Sequence, residues 1–559
     1  MSKFEDLSNE IIYEIFDFFD YFHAYETFSY LNTRFHNLFT RSRFPLKLNF
    51  SSITKSTFEI CCEDVIKHNE DRIKSLCLST PLLIEHFFTS FSINASFIRL
   101  EIIILYRINS NSLLSVLEDL SSLPRLICLT MIVEGMVHAP RLIHQLIFGL
   151  PVLEYCNISL DWPSKGLSLP ESINSINKIK ELIIDGPYNL RDIVCLLSYT
   201  PELVRLKCYR LLEERISEPM LNVRLANLID VHLNLSISFD RFEEFVSNIL
   251  GGIEILRISV MSIGDNFNVE YLDSNRWERL IFNDIPRLHS FHLESFGKIH
   301  QNNEHITDRL IDKFNSTFWI KRNCFFVHRY YQLNGSIWLD FSSSKSDRYG
   351  TKKNVCRVES HRQLIISDPS ISVKYTCRSS YFTDLILMGT FYKRTNSFLI
   401  DLGSMVPLTR VTQLVLLCES FTFSQLIDLL QLSSNVRHLS LVRNTRCPVS
   451  ERGMILPLDE ENIDNIPNRG LLTLKHVRAL MKVSPRLQSL QMSINENYLE
   501  SILRFLFQFD MSKSRCLSLL RIQDAHYGII RRIQKIIDLD KFIEHYTLQH
   551  ISDNAFLWW

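Results

Sequence analysis

A short pattern of apolar positions recurs through most of the chain. Each copy reads apolar, two residues, apolar, one residue, apolar, as in IKSLCL from Ile73 and LVRLKC from Leu203. The central positions are Leu76, Leu100, Leu129, Cys156, Leu182, Leu206, Val231, Leu256 and Phe291, and later Leu414, Leu439, Leu490 and Leu520. Most successive centres lie 24 to 30 residues apart. The pattern therefore indicates a repeated structural unit.

A helical pattern precedes the strand-like hexamers. Its apolar positions follow i, i+3, i+4 and i+7 in two clear cases: Leu190, Ile193, Val194 and Leu197, then Phe423, Leu426, Ile427 and Leu430. Thr473 is a plausible N-cap for a further helix, and Pro485 ends that helix before the next strand. One unit is then a helix, a turn and a strand.

Such a unit buries its helix stripe and its strand only when neighbouring units stack. The sequence therefore predicts an α/β fold, a leucine-rich-repeat solenoid with parallel strands inside and helices outside. The repeated leucines are core positions, so binding at the sheet falls to the residues between them. Those residues include Arg205, Lys207, His232, Arg257, His292, His438 and Gln491. A partner with an acidic or phosphorylated segment would suit the cations, and simple solvation of these charges is the competing interpretation.

The repeat is lost between about residues 312 and 405. Aromatic residues are dense from Phe314 to Tyr331, and Ile371, Val373, Tyr375 and Cys377 alternate with polar residues as in a strand. We interpret this region either as an inserted β-rich subdomain or as irregular repeats with long insertions. Near the end, a helix with Ile529, Ile533, Ile536 and Ile537 on one face is expected to cap the repeats.

Composition narrows the class of protein. With 46% apolar and 22% charged residues in 559, the chain can bury a large core. The 61 Lys and Arg against 62 Asp and Glu give a net charge of −1, so we expect no nucleic-acid partner. An odd number of cysteines, 13, favours reduced thiols and a cytoplasmic or nuclear protein. No apolar run reaches about 18 residues and the N-terminus is acidic, so neither a membrane span nor a secretory signal is expected.

Motifs for catalysis are missing from the sequence. There is no phosphate-binding glycine loop, nucleophile elbow or HExxH pair, and no cofactor or metal is expected. His289 and His292 are three apart on a predicted strand, so their rings point to opposite faces. Four cysteines, Cys128, Cys156, Cys195 and Cys208, are interpreted as small buried hydrophobes. A catalytic cysteine stays open as a third hypothesis, and its loss would abolish turnover without unfolding.

The first 40 residues carry more apolar surface than one helix stripe can bury. Asp6 or Ser8 can cap a helix containing Ile11, Ile12, Ile15, Phe16, Phe18 and Phe19. A second helical stretch with Tyr25 and Phe28 and a third with Phe35, Leu38 and Phe39 can cover part of it. A unit of this size needs docking onto the repeats or onto a partner for stability.

The order of residues from Leu7 to Phe39, LSNEIIYEIFDFFDYFHAYETFSYLNTRFHNLF, resembles the F-box. Its Leu7, Glu10 and isoleucine-rich first helix match the family pattern, whereas Ser8 stands where the family usually has proline. The resemblance implies binding to a Skp1-like adaptor that links the chain to a cullin complex. By matching positions, the adaptor-facing residues would be Leu7, Ser8, Glu10, Ile11, Ile15 and Phe16. Leucine-rich repeats often follow an F-box in this family and select a substrate protein.

The sequence thus predicts a non-catalytic substrate-recognition subunit of a Skp1-cullin-F-box ubiquitin ligase. The predicted domains are an F-box-like helical domain at 1–50, leucine-rich repeats at 51–311, an irregular aromatic and β-rich insertion at 312–405, and repeats with a C-terminal cap at 406–559. The repeat solenoid would bind an unknown target protein, with Arg205, Lys207, His232, Arg257 and His292 as candidate contacts. The alternative is an interaction scaffold outside any ligase, in which the helical bundle only caps the repeats.

Overall fold

The structure, a computed structural model, falls into two compact units. The first comprises Met1–Ser51 and Asp64–Gly350, and the second comprises Ser52–Glu63 and Thr351–Trp559. The boundary near residue 350 lies inside the predicted insertion at 312–405. The structure describes residues 4–16, 25, 27–28, 31–40, 45–50, 53–91, 93–94, 96–163, 177–213, 225–261, 268–299, 304–333, 336–344, 356–360, 363–366, 384–389, 402, 408–418, 423–442, 471–494, 496–510, 517–540, 543, 546–551 and 554–559.

The helices of the described residues are numbered in chain order. They are α1 Asn9–Phe16, α2 Thr33–Thr40, α3 Lys55–Cys61, α4 Pro81–Ser90, α5 Leu113–Leu120, α6 Pro140–Phe148, α7 Leu190–Ser198, α8 Phe239–Ile249, α9 Ser274–Asn283, α10 Glu304–Asp312, α11 Thr317–Lys321, α12 Phe423–Leu432, α13 Leu474–Val483, α14 Leu499–Asp510 and α15 Tyr527–Asp540. Short 3₁₀ turns include Phe4–Asp6, just before α1, and Val269–Leu272, before α9.

Two sheets organise the units. The first contains β1 Leu46–Phe50, β2 Ile73–Leu78, β3 Ile102–Asn109, β4 Cys128–Met136, β5 Tyr155–Asp161, β6 Glu181–Asp185, β7 Tyr188–Asn189, β8 Arg205–Leu212, β9 Asp230–Ser236, β10 Ile255–Met261, β11 Ser290–Ile299, β12 Phe325–Leu333 and β13 Ser336–Ser344. The second contains β14 Cys356–Ser360, β15 Gln363–Ile366, β16 Asp384–Gly389, β17 Gln413–Cys418, β18 His438–Leu441, β19 Leu471–Leu472, β20 Ser489–Ile494, β21 Leu519–Ile522, β22 Thr547–Ile551 and β23 Asn554–Trp558.

The first sheet is parallel from β1 to β11, in chain order except that the short β7 lies to one side, paired with β8. Its central apolar residues are aligned from strand to strand as Leu48, Leu76, Ile103, Leu129, Cys156, Leu182, Leu206, Val231, Leu256 and Phe291. All of them are at most 5% exposed. This register matches the predicted repeat centres except at one strand.

The exception is Leu100, which the sequence placed at the centre of a strand. Ile103 occupies that register position, facing Leu76 on one side and Leu129 on the other. Leu100 is buried in a turn before β3, where its N–H donates to the Phe97 carbonyl at 3.1 Å. It corresponds to Leu126, three residues before the next centre. The run of three isoleucines after Glu101 satisfies the repeat pattern in either frame, and the wrong frame was chosen.

Two antiparallel strands end the first sheet. β13 pairs antiparallel with both β11 and β12, so the parallel order stops at β11. Beside this end lies an aromatic cluster in which Phe314, Trp319, Phe326 and Phe341 stack at ring-centroid distances from 4.4 to 5.4 Å. The dense aromatics predicted from Phe314 to Tyr331 thus contribute to the packing at the end of the sheet.

The second sheet begins with an antiparallel pair, β14 and β15, and is then parallel through β21. Leu364 and Leu385 share the register of the predicted centres Leu414, Leu439, Leu490 and Leu520. The described part of 351–405 therefore contains strands in register with the repeats, as the irregular-repeat interpretation expects. The alternating segment from Ile371 to Cys377 lies outside the described residues.

The predicted helices agree with the structure where both can be compared. In α7 and α12 the apolar positions are buried, except Ile427, which is half-buried. Thr473 is the N-cap of α13, and the helix ends two residues before Pro485. The buried residues of α15 are Ile529, Ile533, Ile536 and Ile537, as predicted. The α/β class is confirmed, whereas the solenoid architecture and the F-box bundle stay predictions.

Helix α3 belongs to the second unit although it lies early in the chain. Phe58 on this helix contacts Trp558 edge to face, with ring centroids 5.9 Å apart. The indole N–H of Trp558 donates to the Ile53 carbonyl at 3.0 Å, and Lys55 Nζ donates to the Tyr546 carbonyl at 3.2 Å. Thus α3 packs against the C-terminal strands, and both Phe58 and Trp558 are almost completely buried.

Candidate functional site

The N-terminal helices share a core of phenylalanines. Phe16 of α1 stacks on Phe39 of α2 at 4.6 Å and lies 5.3 Å from Phe28 and 6.4 Å from Phe35. Ile12, one turn before Phe16, is completely buried. One side of α1 is therefore used for packing within the first unit, and the opposite side is left to the surface.

The structure divides the predicted adaptor-facing residues into two groups. Ser8 and Glu10 are exposed, Ile11 is 46% exposed, and Leu7 and Ile15 are half-buried. Because Leu7, Ile11 and Ile15 are four residues apart, they form a stripe along one side of the helix. Phe16 is only 5% exposed and lies in the phenylalanine core, so it is not available at this surface. We call Leu7, Ser8, Glu10, Ile11 and Ile15 the α1 surface.

Charge at the α1 surface is fixed by local hydrogen bonds. The pKa of Glu10 is lowered, chiefly because its own backbone N–H donates to the carboxylate, and further because the Ser8 hydroxyl does the same. Arg34 of α2 adds a smaller attraction. Glu10 is thus an anion at neutral pH, beside the exposed isoleucine.

The sequence reasoning missed the residue that holds the start of this surface. Arg34 donates from Nη2 to the Leu7 carbonyl at 2.7 Å and to Asn9 Oδ1 at 2.7 Å. A residue 25 to 29 positions away gives no local pattern that would announce these contacts. The one signal is that Arg34 is a charged residue on a short helix whose neighbours Phe35, Leu38 and Phe39 are core residues.

A second candidate surface lies on the first sheet. Lys207, His232, Arg257 and His292 occupy one register position on the adjacent strands β8, β9, β10 and β11. We call these four residues the basic row. Each follows a buried centre by one residue, and successive strand side chains point to opposite faces, so the row lies on the face away from those centres. All four are half-buried, as expected for an open sheet face.

Carboxylates flank the basic row. Glu181, Arg205 and Asp230 are aligned one row earlier in the strands, so Arg205 stands between two acids. Glu181 accepts ion pairs from Arg205 at 3.1 Å and Lys207 at 3.8 Å, and Arg257 pairs with Asp230. The face therefore has mixed charge. Partly exposed ion pairs of this kind are worth about 1 kcal/mol or less, so a partner's charges can replace them.

The ring of His292 is held by partners on two neighbouring strands. Its Nε2 lies 2.8 Å from Glu294 Oε1, and its Nδ1 lies 2.8 Å from the hydroxyl of Ser343 on β13. His232 stacks edge to face with Tyr209 at 5.7 Å. The sequence identified these histidines but missed Glu181, Asp230 and Glu294, which lie on the same strands with the same two-residue alternation.

Two further residues were expected at exposed sheet positions in the second unit. His438 of β18 is half-buried, whereas Gln491 of β20 is only 7% exposed. Gln491 therefore does not offer the open position that the sequence suggested. The aligned Ser440 is also only 7% exposed, so this part of the face is covered in the second unit.

The described cysteines of the repeats are poor nucleophiles. Cys156, Cys195 and Cys208 are buried, and Cys128 is half-buried. Burial raises the pKa of Cys128 to about 11 and that of Cys208 to about 12, and it raises the pKa of Cys156 further. These thiols are protonated at neutral pH, and only a thiolate attacks efficiently.

Two searches of the described residues complete the description. No group of three His, Cys, Asp or Glu side chains there is arranged to hold a metal ion. Within the same residues, every helix is too short or too polar to cross a membrane.

No protein-family model matches the chain, and no curated protein matches it at a significant level. Functional assignment therefore depends on the two surfaces themselves and on the N-terminal resemblance to the F-box.

Proposed function

We propose that the chain is the substrate-recognition subunit of a Skp1-cullin-F-box ubiquitin ligase. The α1 surface would bind a Skp1-like adaptor, and the first sheet would bind a target protein. The chain would itself be non-catalytic, and it would act by holding the target near the enzyme that transfers ubiquitin. Its place would be the cytoplasm or the nucleus, where such complexes and reduced thiols occur together.

The observation that carries the proposal is the exposure of Ile11. Its side chain is 46% exposed on a helix whose neighbours Ile12 and Phe16 are already buried in the phenylalanine core. Leu7 and Ile15 extend this apolar stripe in both directions along α1. An apolar stripe beside an anion, Glu10, is suited to a protein partner, since contact removes the apolar area from water.

The basic row and its flanking carboxylates supply the target-binding side of the proposal. Lys207, His232, Arg257 and His292 run across four strands that lie about 4.8 Å apart, so they span about 14 Å. That length suits an extended segment of a partner. Acidic or phosphorylated side chains on the segment would compete with Glu181 and Asp230 for the cations. Arg205, with its side chain 56% exposed, would join such a contact.

The first experiment measures binding of a purified Skp1-type adaptor to the full chain. Ile11→Glu places a charge in the apolar stripe, and we expect it to weaken binding by about tenfold or more. Ile60→Glu is the matched control, since Ile60 is an isoleucine 61% exposed on α3. We expect this control to bind the adaptor like the wild type.

The result also separates the two function classes. Wild-type binding that Ile11→Glu removes and Ile60→Glu preserves supports the ligase subunit. A folded wild-type chain that binds no adaptor contradicts it and favours the interaction scaffold. For the target side, Lys207→Glu with Arg257→Glu should abolish capture of a ligase target while adaptor binding is unchanged.

A further inference from the structure

The segment before α1 is held by one side chain. Arg34 donates from Nη1 to the Glu5 carbonyl, from Nη2 to the Leu7 carbonyl, and from Nη2 and Nε to Asn9 Oδ1. Asn32 adds a hydrogen bond from Nδ2 to Glu5 Oε1 at 3.2 Å. Every one of these contacts joins the start of α2 to residues 5–9. The guanidinium therefore acts as a clamp on that segment.

The clamped segment includes part of the α1 surface. Leu7 and Ser8 lie between the carbonyl of Glu5 and the side chain of Asn9, both of which Arg34 contacts. Ser8 has no ring to restrict its φ angle, whereas a proline would fix φ near −65°. Short exposed segments that lead into a helix lose their order easily unless something ties them down. Here the tie is made by a distant arginine rather than by the local backbone.

The geometry requires the shape of arginine as well as its charge. A guanidinium presents five N–H donors in a rigid plane, so one group reaches the two carbonyls and the amide oxygen together. A lysine ammonium at the same place carries the same charge but has three donors on one nitrogen. It can satisfy only part of this set.

We propose that Arg34 is a positioning residue that holds residues 5–9 in the conformation that binds the adaptor, and so sets the affinity. The inference rests on the proposed function, because it takes the α1 surface as the adaptor site. A partner that binds only the ordered segment has its affinity reduced in proportion to the ordered fraction. If removal of the clamp leaves the segment ordered about one tenth of the time, the dissociation constant rises about tenfold.

The test uses the full chain and a purified Skp1-type adaptor, with two readouts. Calorimetry gives the dissociation constant, and amide hydrogen exchange of the free chain reports the order of residues 5–9. The variants are Arg34→Met and Arg34→Lys. Asn37→Met is the control, since Asn37 is exposed on the same helix. Arg34→Met, Ser8→Pro supplies a rescue, because the proline restricts the freed backbone.

We expect both Arg34 variants to bind about tenfold more weakly, with faster exchange at residues 5–9, while Asn37→Met matches the wild type. The proline should restore a large part of the affinity. Full affinity in Arg34→Lys overturns the clamp, since charge alone would then suffice. Weaker binding with unchanged exchange also overturns it, because Arg34 would then act directly on the adaptor.

Failure of the proposed function gives a different result. If the wild-type chain binds no adaptor, the ligase assignment fails and the affinity part of this inference fails with it. The exchange of residues 5–9 still decides whether Arg34 orders the segment. Wild-type binding that is unchanged in Arg34→Met leaves the ligase assignment standing and overturns the positioning role alone.

Discussion

The buried histidine of the first unit should make this unit sensitive to mild acid. His144 on α6 is completely buried. Its Nδ1 lies 2.6 Å from the Pro140 carbonyl, and its Nε2 lies 2.8 Å from the Tyr188 hydroxyl. Both contacts are satisfied by a neutral ring that donates from Nδ1 and accepts at Nε2. Trp162 closes the site, edge to face with the imidazole at 5.8 Å.

The size of the effect follows from the pKa of His144. Burial lowers it from the ordinary 6.5 to about 4, against a smaller opposing effect of the hydrogen bond to Pro140. The unfolded chain therefore takes up a proton near pH 6.5, and the folded chain does not until about pH 4. Stability is complete above pH 6.5 and is lost as the pH falls towards 4. A shift of about 2.5 pKa units corresponds to about 3 kcal/mol.

The assay is urea unfolding followed by tryptophan fluorescence at several pH values between 7 and 4. His144→Gln keeps an amide that can donate and accept but cannot be protonated in this range, so its stability should fall about 3 kcal/mol less than that of the wild type. Tyr188→Phe keeps the imidazole and removes its donor. This variant should be about 1 to 3 kcal/mol less stable at pH 7, with the wild-type pH dependence retained. Equal pH dependence in His144→Gln and the wild type would refute the reasoning.

Three smaller predictions concern packing and capping, each measured as the change in the urea midpoint against the wild type. Gly186→Ala should cost about 2 kcal/mol, because its Cβ would lie 2.8 Å from the Trp162 ring; an unchanged midpoint would mean that the ring moves freely. Asn189→Ala removes the N-cap of α7 and should cost about 1 kcal/mol, while Asn189→Ser should recover most of it. Trp558→Phe loses the hydrogen bond to Ile53 and should cost about 1 kcal/mol in the second unit; no loss would show that water replaces the indole.

Local periodicity was enough to find most of the strands. A buried centre recurs at nearly constant spacing because each strand must present the same residue to the same layer, and Leu206, Val231 and Leu256 obey this rule. The rule failed at Leu100, since consecutive isoleucines fit two frames. It also missed Leu364 and Leu385, whose strands are followed by long segments that break the spacing.

The sites were less predictable than the fold. A helix with apolar residues on several sides does not reveal which of them its neighbours cover, so Phe16 was assigned to the surface and Ile11 was not distinguished from it. The partners of Arg34 lie 25 to 29 residues away, and Tyr188 lies 44 residues from His144. Contacts at that separation depend on how the chain folds back, which local spacing does not encode.

The early position of α3 has a consequence for biosynthesis. Ile53 and Trp558 are separated by 505 residues, yet they are hydrogen-bonded in the same unit. At a synthesis rate of about 5 to 20 residues per second, the ribosome needs roughly 25 to 100 seconds to make the intervening chain. Throughout that interval Phe58 lacks its aromatic partner and is exposed to chaperones or to aggregation. The second unit therefore folds late, however early its first helix is made.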